Sequence, residues 1–230
     1  MKAAIVAAAL GASKLLIGQD SQPKRGGRVR WGRLKFPLAT AGAKWYSHPE
    51  GDLNLIQRIR TVTNVDLAFD FGVADVADLT QMTEFPFIFM HAQQPAALSD
   101  LHRANIREYL RRGGFLFIDD CMAAPSQPDV FYKAMRNEMR RILPAARYDR
   151  FDTDRNHEIF RCVYRMPDGL PQGHPRGRNN GLWGVYDKDR LVALMCSNDF
   201  HCAWAQWFGQ QSEELALRIG VNIYVYAMSH

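Results

Sequence analysis

Two short apolar runs, separated by a helical pattern, constrain the fold of this chain more than any other feature. Residues 85–90 read Phe-Pro-Phe-Ile-Phe-Met, and residues 115–118 read Phe-Leu-Phe-Ile. Runs of this kind, without alternating polar residues, are typical of strands that are covered on both faces. Between them, Ser99 is a suitable N-cap and Gly113-Gly114 a suitable stop for an amphipathic helix. We therefore predict two neighbouring parallel strands joined by a crossover helix.

Length and composition favour one α/β domain. The chain has 230 residues, of which 47% are hydrophobic and 23% charged. This composition excludes disordered, collagen-like and low-complexity proteins. No linker rich in Pro, Gly and Ser divides the chain, so we predict a single α/β domain over residues 30–230, with a mostly parallel sheet and helices on both faces.

The rest of the chain supplies further elements by the same criteria of periodicity, caps and turn residues. The predicted strands are 30–36, 65–69, 158–164 and the two arms of a hairpin, 182–186 and 191–196. The predicted helices are 55–60 with Asn54 as cap, 130–142 with Asp129 as cap, and a final buried helix that begins at Ser212. Residues 167–181, rich in Gly and Pro, form the one long loop.

The N-terminus has the order of residues that a secretory signal has. Lys2 is followed by an apolar run to Leu10 and then by small residues. We predict a signal peptide over residues 1–19, a basic linker over 20–29, and a periplasmic or secreted protein, with a cytoplasmic protein as the alternative. No other stretch approaches the ~18 apolar residues that a membrane helix needs, so the mature domain is predicted to lack one.

Basic residues are concentrated near the first strand. The net charge is +5, and six of the 29 basic residues are Lys24, Arg25, Arg28, Arg30, Arg33 and Lys35. Such a cluster can bind nucleic acid through phosphate contacts. No helix-turn-helix, zinc-finger or aromatic RNA-binding motif accompanies it, so a solvated linker is favoured and nucleic acid is not the expected partner.

Polar residues collect where three apolar strands end. Ligands of open parallel sheets bind at the carboxyl ends of the strands, which makes these residues a candidate pocket. Adjacent residues of a strand point to opposite faces, so only one of Asp119 and Asp120 is expected to face a given pocket. The candidate pocket residues are His91, Asp119, Asp120, Cys121, Asp199, His201 and Cys202.

Three chemistries compete with a purely structural role for these residues. A thiol nucleophile, Cys121 with a histidine, lacks the glycine-flanked elbow that such enzymes use. A metal site from His91, Asp119, His157 and Asp199 has no supporting ligand spacing, so no metal or cofactor is predicted. A carboxylate dyad would pair Asp119 or Asp120 with Asp199 for acid–base catalysis.

The four cysteines are Cys121, Cys162, Cys196 and Cys202, and none lies in a Cys-x-x-Cys motif. In an exported protein a disulfide between Cys121 and Cys202 is the expected pairing, because both follow apolar strands at comparable positions. The alternative is that all four thiols are reduced and mostly buried.

Several motifs, in one order over roughly residues 30 to 230, resemble a bacterial family known as domain of unknown function 4159. They are Trp31–Phe36, Trp45 with Asn54–Ile56, Phe85–His91, Leu110–Cys121, Asn156–Phe160, Ser197–Trp204 and Leu217–Met228. The resemblance implies a flavodoxin-like three-layer fold of the class I glutamine-amidotransferase type, often behind an export signal. It implies no activity.

Two functions from different classes remain. The first is a binding or assembly module that uses the carboxyl edge of the sheet, or the basic arm, to engage a protein or a small-molecule ligand. The alternative is a hydrolase-like enzyme with an Asp/His/Cys pocket at the same edge. An enzyme requires an open cleft there, whereas a binding module leaves these carboxylates hydrogen-bonded to backbone beside exposed apolar residues.

Overall fold

The computed structural model describes residues 28–230, which contain one seven-stranded sheet in the order β2-β1-β3-β4-β7-β6-β5. The strands are β1 Val29–Lys35, β2 Leu67–Asp75, β3 Phe87–Ala92, β4 Phe115–Asp120, β5 Arg147–Arg150, β6 Trp183–Asp187 and β7 Arg190–Met195. The helices are α1 Pro49–Val62, α2 Leu79–Thr83, α3 Asp100–Arg111, α4 Val130–Ile142, α5 Phe200–Trp204 and α6 Gln210–Ser229.

Five strands are parallel, and helices cover both faces of the sheet. The parallel strands β2, β1, β3, β4 and β7 follow the order of flavodoxin-like folds, and β6 and β5 extend the sheet in antiparallel pairs. Helices α1, α5 and α6 contact one another on one side, and α3 contacts both α2 and α4 on the other. Each face has its own buried apolar cluster. The predicted three-layer α/β fold is confirmed.

The central pair β3 and β4 confirms the prediction with which the sequence analysis began. The two strands are parallel and in unbroken register, with Phe87 opposite Phe115 and His91 opposite Asp119. The crossover helix α3 begins after Ser99, whose side chain accepts a hydrogen bond from the backbone N–H of His102. The carboxyl ends of both strands therefore lie at the same edge of the sheet.

The hairpin and the last helix are also as predicted. Strands β6 and β7 pair in antiparallel fashion across a tight turn. Helix α6 is buried along most of its length, including Ile219, Ile223 and Tyr224, as expected for a helix that is apolar nearly all round. Although α6 contains β-branched residues, it is helical, because packing against β3 and α5 stabilises the helix.

Two predicted elements are wrong. Helix α1 begins at Pro49, so Asn54 lies inside it, and its side chain donates a hydrogen bond to the backbone oxygen of Trp204. Proline at the first helical position and the acidic Glu50 are the signals that mark this earlier start. Residues 158–164 contain a short 3-10 helix, Glu158–Phe160, instead of a strand.

The strand at this end of the sheet is β5 instead. It has only four residues, Arg-Tyr-Asp-Arg, and pairs with β6 alone at the edge. Polar side chains suit an edge strand, which presents unpaired backbone groups to solvent. Because β5 contains no apolar run, its sequence does not predict a strand.

The predicted signal peptide and most of the basic linker, residues 1–27, lie outside the described residues, and export stays a prediction. Within residues 28–230, no helix is both long and apolar enough to cross a membrane.

Candidate functional site

All seven candidate residues lie at the carboxyl edge of the sheet, and all are buried. None is more than 4% exposed. His91 belongs to β3, Asp119 and Asp120 to β4, and Cys121 follows directly. Asp199, His201 and Cys202 come from the turn after β7 and from α5. The strand ends thus bring these residues together, but in a closed edge instead of an open cleft.

Asp119 holds the turn that follows β7. One carboxylate oxygen accepts hydrogen bonds from the backbone N–H groups of Asn198 and Asp199, both at 3.1 Å, and the other accepts from that of Phe200 at 2.7 Å. The thiol of Cys196 also donates to the first of these oxygens, at 3.2 Å. Burial and the nearby Asp199 carboxylate raise the pKa of Asp119 to about 7, against the effect of these donors. Both oxygens of Asp119 are therefore occupied by hydrogen bonds from backbone N–H groups.

Asp120 points to the opposite face of the sheet, as strand geometry requires. Its carboxylate accepts a hydrogen bond from the backbone N–H of Tyr132, at 2.7 Å, in the first turn of α4. Asp129 was predicted to cap this helix, but its side chain makes no capping bond and instead contacts Lys133 and Asn180. Asp120 replaces it because the end of β4 brings its oxygen to the free N–H groups of the helix.

Burial raises the pKa of Asp120 to about 9, and its second oxygen has no partner. A folded-state pKa above the unfolded value of about 3.9 means that the folded protein binds more protons between these two limits. Stability attributable to Asp120 is therefore full below about pH 4 and is lost as the pH rises through about 9.

We expect Asp120→Asn, which mimics the protonated acid, to flatten this dependence. Urea unfolding at mildly acidic and mildly alkaline pH should show that the variant gains on the order of 2 kcal/mol relative to wild type between the two conditions. Asp168→Asn, at an exposed position, is the control and should follow the wild-type curve. Parallel pH curves for wild type and Asp120→Asn would contradict a neutral Asp120.

Four of the candidate residues form a compact cluster of potential ligand atoms. His91, Cys121, Asp199 and Cys202 each offer one such atom, and these atoms all lie within 4.8 Å of one another. Both ring nitrogens of His91 and one carboxylate oxygen of Asp199 are buried without a hydrogen-bond partner among residues 28–230. Burial lowers the pKa of His91 well below its usual value, so the imidazole is neutral, and burial raises that of Asp199.

The predicted disulfide is not formed, although its two positions are correctly paired in space. The sulfur atoms of Cys121 and Cys202 lie 3.6 Å apart, beyond the ~2.05 Å of a covalent bond, and all four cysteines are free. The hydrogen bond between the two thiols, followed by burial, raises the pKa of Cys202. A nucleophilic cysteine needs the opposite shift.

The backbone of Asp199 is left-handed, with φ 54° and ψ 48°, at the junction between the β7 turn and α5. Aspartate tolerates this conformation better than most residues. One carboxylate oxygen accepts a hydrogen bond from the backbone N–H of Met122 at 3.1 Å, and the other has no hydrogen-bond partner among the described residues. The hydrogen bond from the backbone N–H of Asp199 to Asp119 and the contact with Met122 together fix the orientation of the Asp199 side chain.

A buried ion pair beside the cluster was not anticipated. Arg33 in β1 donates to Asp52 in α1 at 2.7 Å, and both side chains are at most 2% exposed. Asp52 also accepts from Trp31 at 2.8 Å and lies 2.9 Å from Nε2 of His201. Although burial alone would raise it, the charges of Arg33 and His201 lower the pKa of Asp52 overall. Arg33 is thus part of the core and not of a solvated basic segment.

His201 links the ion pair to the cluster. Its ring lies 4.3 Å from that of His91, centroid to centroid, and its Nε2 is 2.9 Å from Arg33. Burial lowers the pKa of His201 in spite of Asp52. His201 therefore supports the cluster and is not one of its four residues. His157, weighed as a metal ligand, instead accepts a bond from the N–H of Ile159 and stacks on Phe151.

Exposed aromatic rings flank this edge. Trp207 is 56% exposed and contacts the ring of His48 with centroids 4.0 Å apart, and Tyr46, two residues earlier, is 46% exposed. The long loop predicted at 167–181 closes over the same edge, because the backbone N–H groups of Gly173 and His174 donate to the oxygen of Asn198. A side chain at position 173 would meet that oxygen at 2.4 Å, so the loop approaches as closely as a glycine allows.

The chain matches a family model over most of its length. A model described as Domain of unknown function (DUF4159) matches residues 33–228. The chain belongs to this family. The DUF4159 match begins within β1 and ends in the last turn of α6, and it includes every residue of the cluster and of the ion pair. A comparison with curated proteins finds none that matches the chain.

Proposed function

We propose that this DUF4159 protein is a ligand-binding module whose site is the cluster of His91, Cys121, Asp199 and Cys202. The observation that carries the proposal is the buried imidazole of His91, neither of whose ring nitrogens has a hydrogen-bond partner in the part of the chain that the structure describes. Buried polar side chains nearly always have hydrogen-bond partners, and the exceptions need an explanation. A bound ligand supplies one, and Asp199, which belongs to the same cluster, also has one oxygen without a partner among residues 28–230.

The alternative, a hydrolase-like enzyme, gains no support from the same residues. Hydrolysis needs a carboxylate or thiolate that is free to react and open to water. Asp119 is occupied by backbone N–H groups, Asp120 faces α4, and the Cys202 thiol is held protonated. The kinship with class I glutamine amidotransferases is therefore proposed for the layout of the sheet alone and not for thiol catalysis.

Native mass spectrometry of the full chain, purified without chelators, tests the proposal. We expect a bound species above the mass of the denatured chain. His91→Phe should lose it, since phenylalanine keeps the ring shape against Phe89 and His201 but removes both nitrogens. His157→Phe is the matched control, because that histidine lies outside the cluster, and it should keep the species.

The same preparations distinguish the enzyme. We expect no turnover of a chromogenic ester, phosphate ester or anilide above the buffer rate. A bare chain with no bound species in the native spectrum would contradict the binding module. Turnover by wild type that His91→Phe abolishes would establish the hydrolase instead.

A further inference from the structure

The four clustered residues offer a donor set that occurs in metalloproteins. Two sulfurs, one imidazole nitrogen and one carboxylate oxygen converge from the ends of three strands, and none of the four residues is more than 4% exposed. Thiolate and imidazole donors select zinc and other transition metals, whereas calcium and magnesium prefer oxygen alone. We infer that His91, Cys121, Asp199 and Cys202 bind one divalent transition-metal ion, with Zn²⁺ as the best match. This inference rests on the binding function proposed above and names its ligand.

The spacing of the two sulfurs fits this ion. Tetrahedral zinc with Zn–S distances of about 2.3 Å holds two cysteine sulfurs about 3.8 Å apart. Cys121 and Cys202 place theirs at 3.6 Å. The four ligand atoms all lie within 4.8 Å of one another. Side-chain rotations that move these atoms by about 1 Å therefore bring the most distant pair to the separation of ligands in a tetrahedral site.

The unpartnered groups of the cluster are those that a metal ion would take. Both ring nitrogens of His91 lack a hydrogen-bond partner among residues 28–230, so one of them is available to an ion. Asp199 has one oxygen bound to the N–H of Met122 and the other without a partner, which is the arrangement of a monodentate ligand with a supporting hydrogen bond. The two sulfurs bond only weakly to each other across the cluster.

Residues around the cluster orient these ligands. Asp119 accepts the backbone N–H of Asp199 and so fixes the left-handed turn from which the Asp199 carboxylate projects. The ring of His91 packs against the rings of Phe89 and His201. Groups that support metal ligands in this way typically change affinity ten- to a hundredfold when they are removed.

Binding requires no oxidant. Each cysteine releases its thiol proton to solvent, and the sulfur donates an electron pair to the ion, as do His91 and Asp199. With four protein ligands in a buried position, the coordination shell is complete, which is typical of structural sites and not of catalytic ones. The ion would then link three elements. Strand β3 carries His91, β4 directly precedes Cys121, and α5 carries Cys202 and directly follows Asp199.

Zinc binding is tested on the full chain, purified with a tag free of histidine and under reducing conditions, then loaded with Zn²⁺ and dialysed. Mass spectrometry of the metal content should give one zinc per chain for wild type. Cys121→Ser and Cys202→Ser should lower the affinity, measured against a competing chelator, at least tenfold. Cys162→Ser is the matched control, because Cys162 lies elsewhere and bonds to the backbone of Asn222, and it should keep the wild-type affinity.

Substitution of Co²⁺ for zinc keeps the inference testable even if a serine variant does not fold. Wild type should show the thiolate-to-cobalt charge-transfer band and the intense visible bands of a tetrahedral site. Wild type without stoichiometric zinc, a cobalt spectrum without the thiolate band, or a persistent Cys121–Cys202 disulfide under reducing conditions would each overturn it.

Failure of the metal site is distinguishable from failure of the binding module. A non-metal species in the native mass spectrum that His91→Phe removes would leave the module standing and exclude the ion. Neither metal nor any other bound species would exclude both.

Discussion

Asp119→Ala is expected to lower the free energy of unfolding by about 4 kcal/mol or more, since each buried N–H group left without an acceptor costs about 1–3 kcal/mol. Asp119 is fully buried and serves the backbone N–H groups of Asn198, Asp199 and Phe200, as well as that of Asp120. Alanine removes both carboxylate oxygens that accept these hydrogen bonds and leaves a small cavity. Chemical denaturation at neutral pH measures the loss.

Two further variants separate this effect from charge and from general sensitivity. Asp119→Asn keeps one acceptor oxygen but directs an NH₂ group at backbone donors, so we expect a smaller yet clear destabilisation. Asp168→Ala, at an exposed position in the long loop, should change stability by no more than about 0.5 kcal/mol. A loss below about 1 kcal/mol for Asp119→Ala would show that the turn is held by other contacts.

The centre of the fold was predictable because short-range patterns determine it. Phe87–Met90 and Phe115–Ile118 are apolar without interruption, and the capped helix between them leaves few alternatives to a parallel pair. The edge at which the polar residues meet follows from that pairing. The short, polar strand β5 was missed because an edge strand needs little burial.

The composition of the cluster depends on pairings that sequence order does not reveal. Cys121 and Cys202 meet because β4 and β7 are neighbours, although β5 and β6 lie between them in the chain. His91 joins them through the register of β3 on β4. Spacing rules for metal sites operate along one segment and therefore did not select these ligands.

The ion pair of Arg33 and Asp52 contradicts the usual reading of alternation in a strand. Arg33 looks exposed because basic and apolar residues alternate in β1, yet α1 covers it. One signal was present: Asp52 is spaced with Leu55, Ile56 and Ile59 at helical intervals and so lies on the apolar face. An acidic residue at such a position requires a buried partner, and Arg33 is that partner.

Breaking this pair is expected to be the second most destabilising change. Arg33→Met leaves the Asp52 carboxylate, and Asp52→Asn leaves the Arg33 guanidinium, as a buried charge without its counter-ion. Each should lower the free energy of unfolding by about 3–5 kcal/mol. The surface pair of Arg58 and Glu214 is the matched control, because its side chains are 26% and 36% exposed, and Arg58→Met should cost about 1 kcal/mol or less.

The double variant Arg33→Met/Asp52→Asn tests whether charge, and not packing, accounts for the loss. It buries no uncompensated charge, and the asparagine oxygen still accepts from Trp31, so its loss should be smaller than the sum of the two single losses by about 2 kcal/mol or more. Strictly additive losses would show that the two side chains contribute independently, through packing alone.

The pH dependence supplies an independent measure of the same pair. The pKa of Asp52 is lower in the folded state than in the unfolded state, so its contribution is present above about pH 4 and is lost as the pH falls through the folded-state value. Asp52→Asn should therefore flatten the acid limb of the stability curve while leaving its alkaline limb, which Asp120 governs, as it is in wild type. If the acid limb is unchanged in the variant, the pKa of Asp52 is the same in the folded and unfolded states, and Arg33 does not stabilise its charged form.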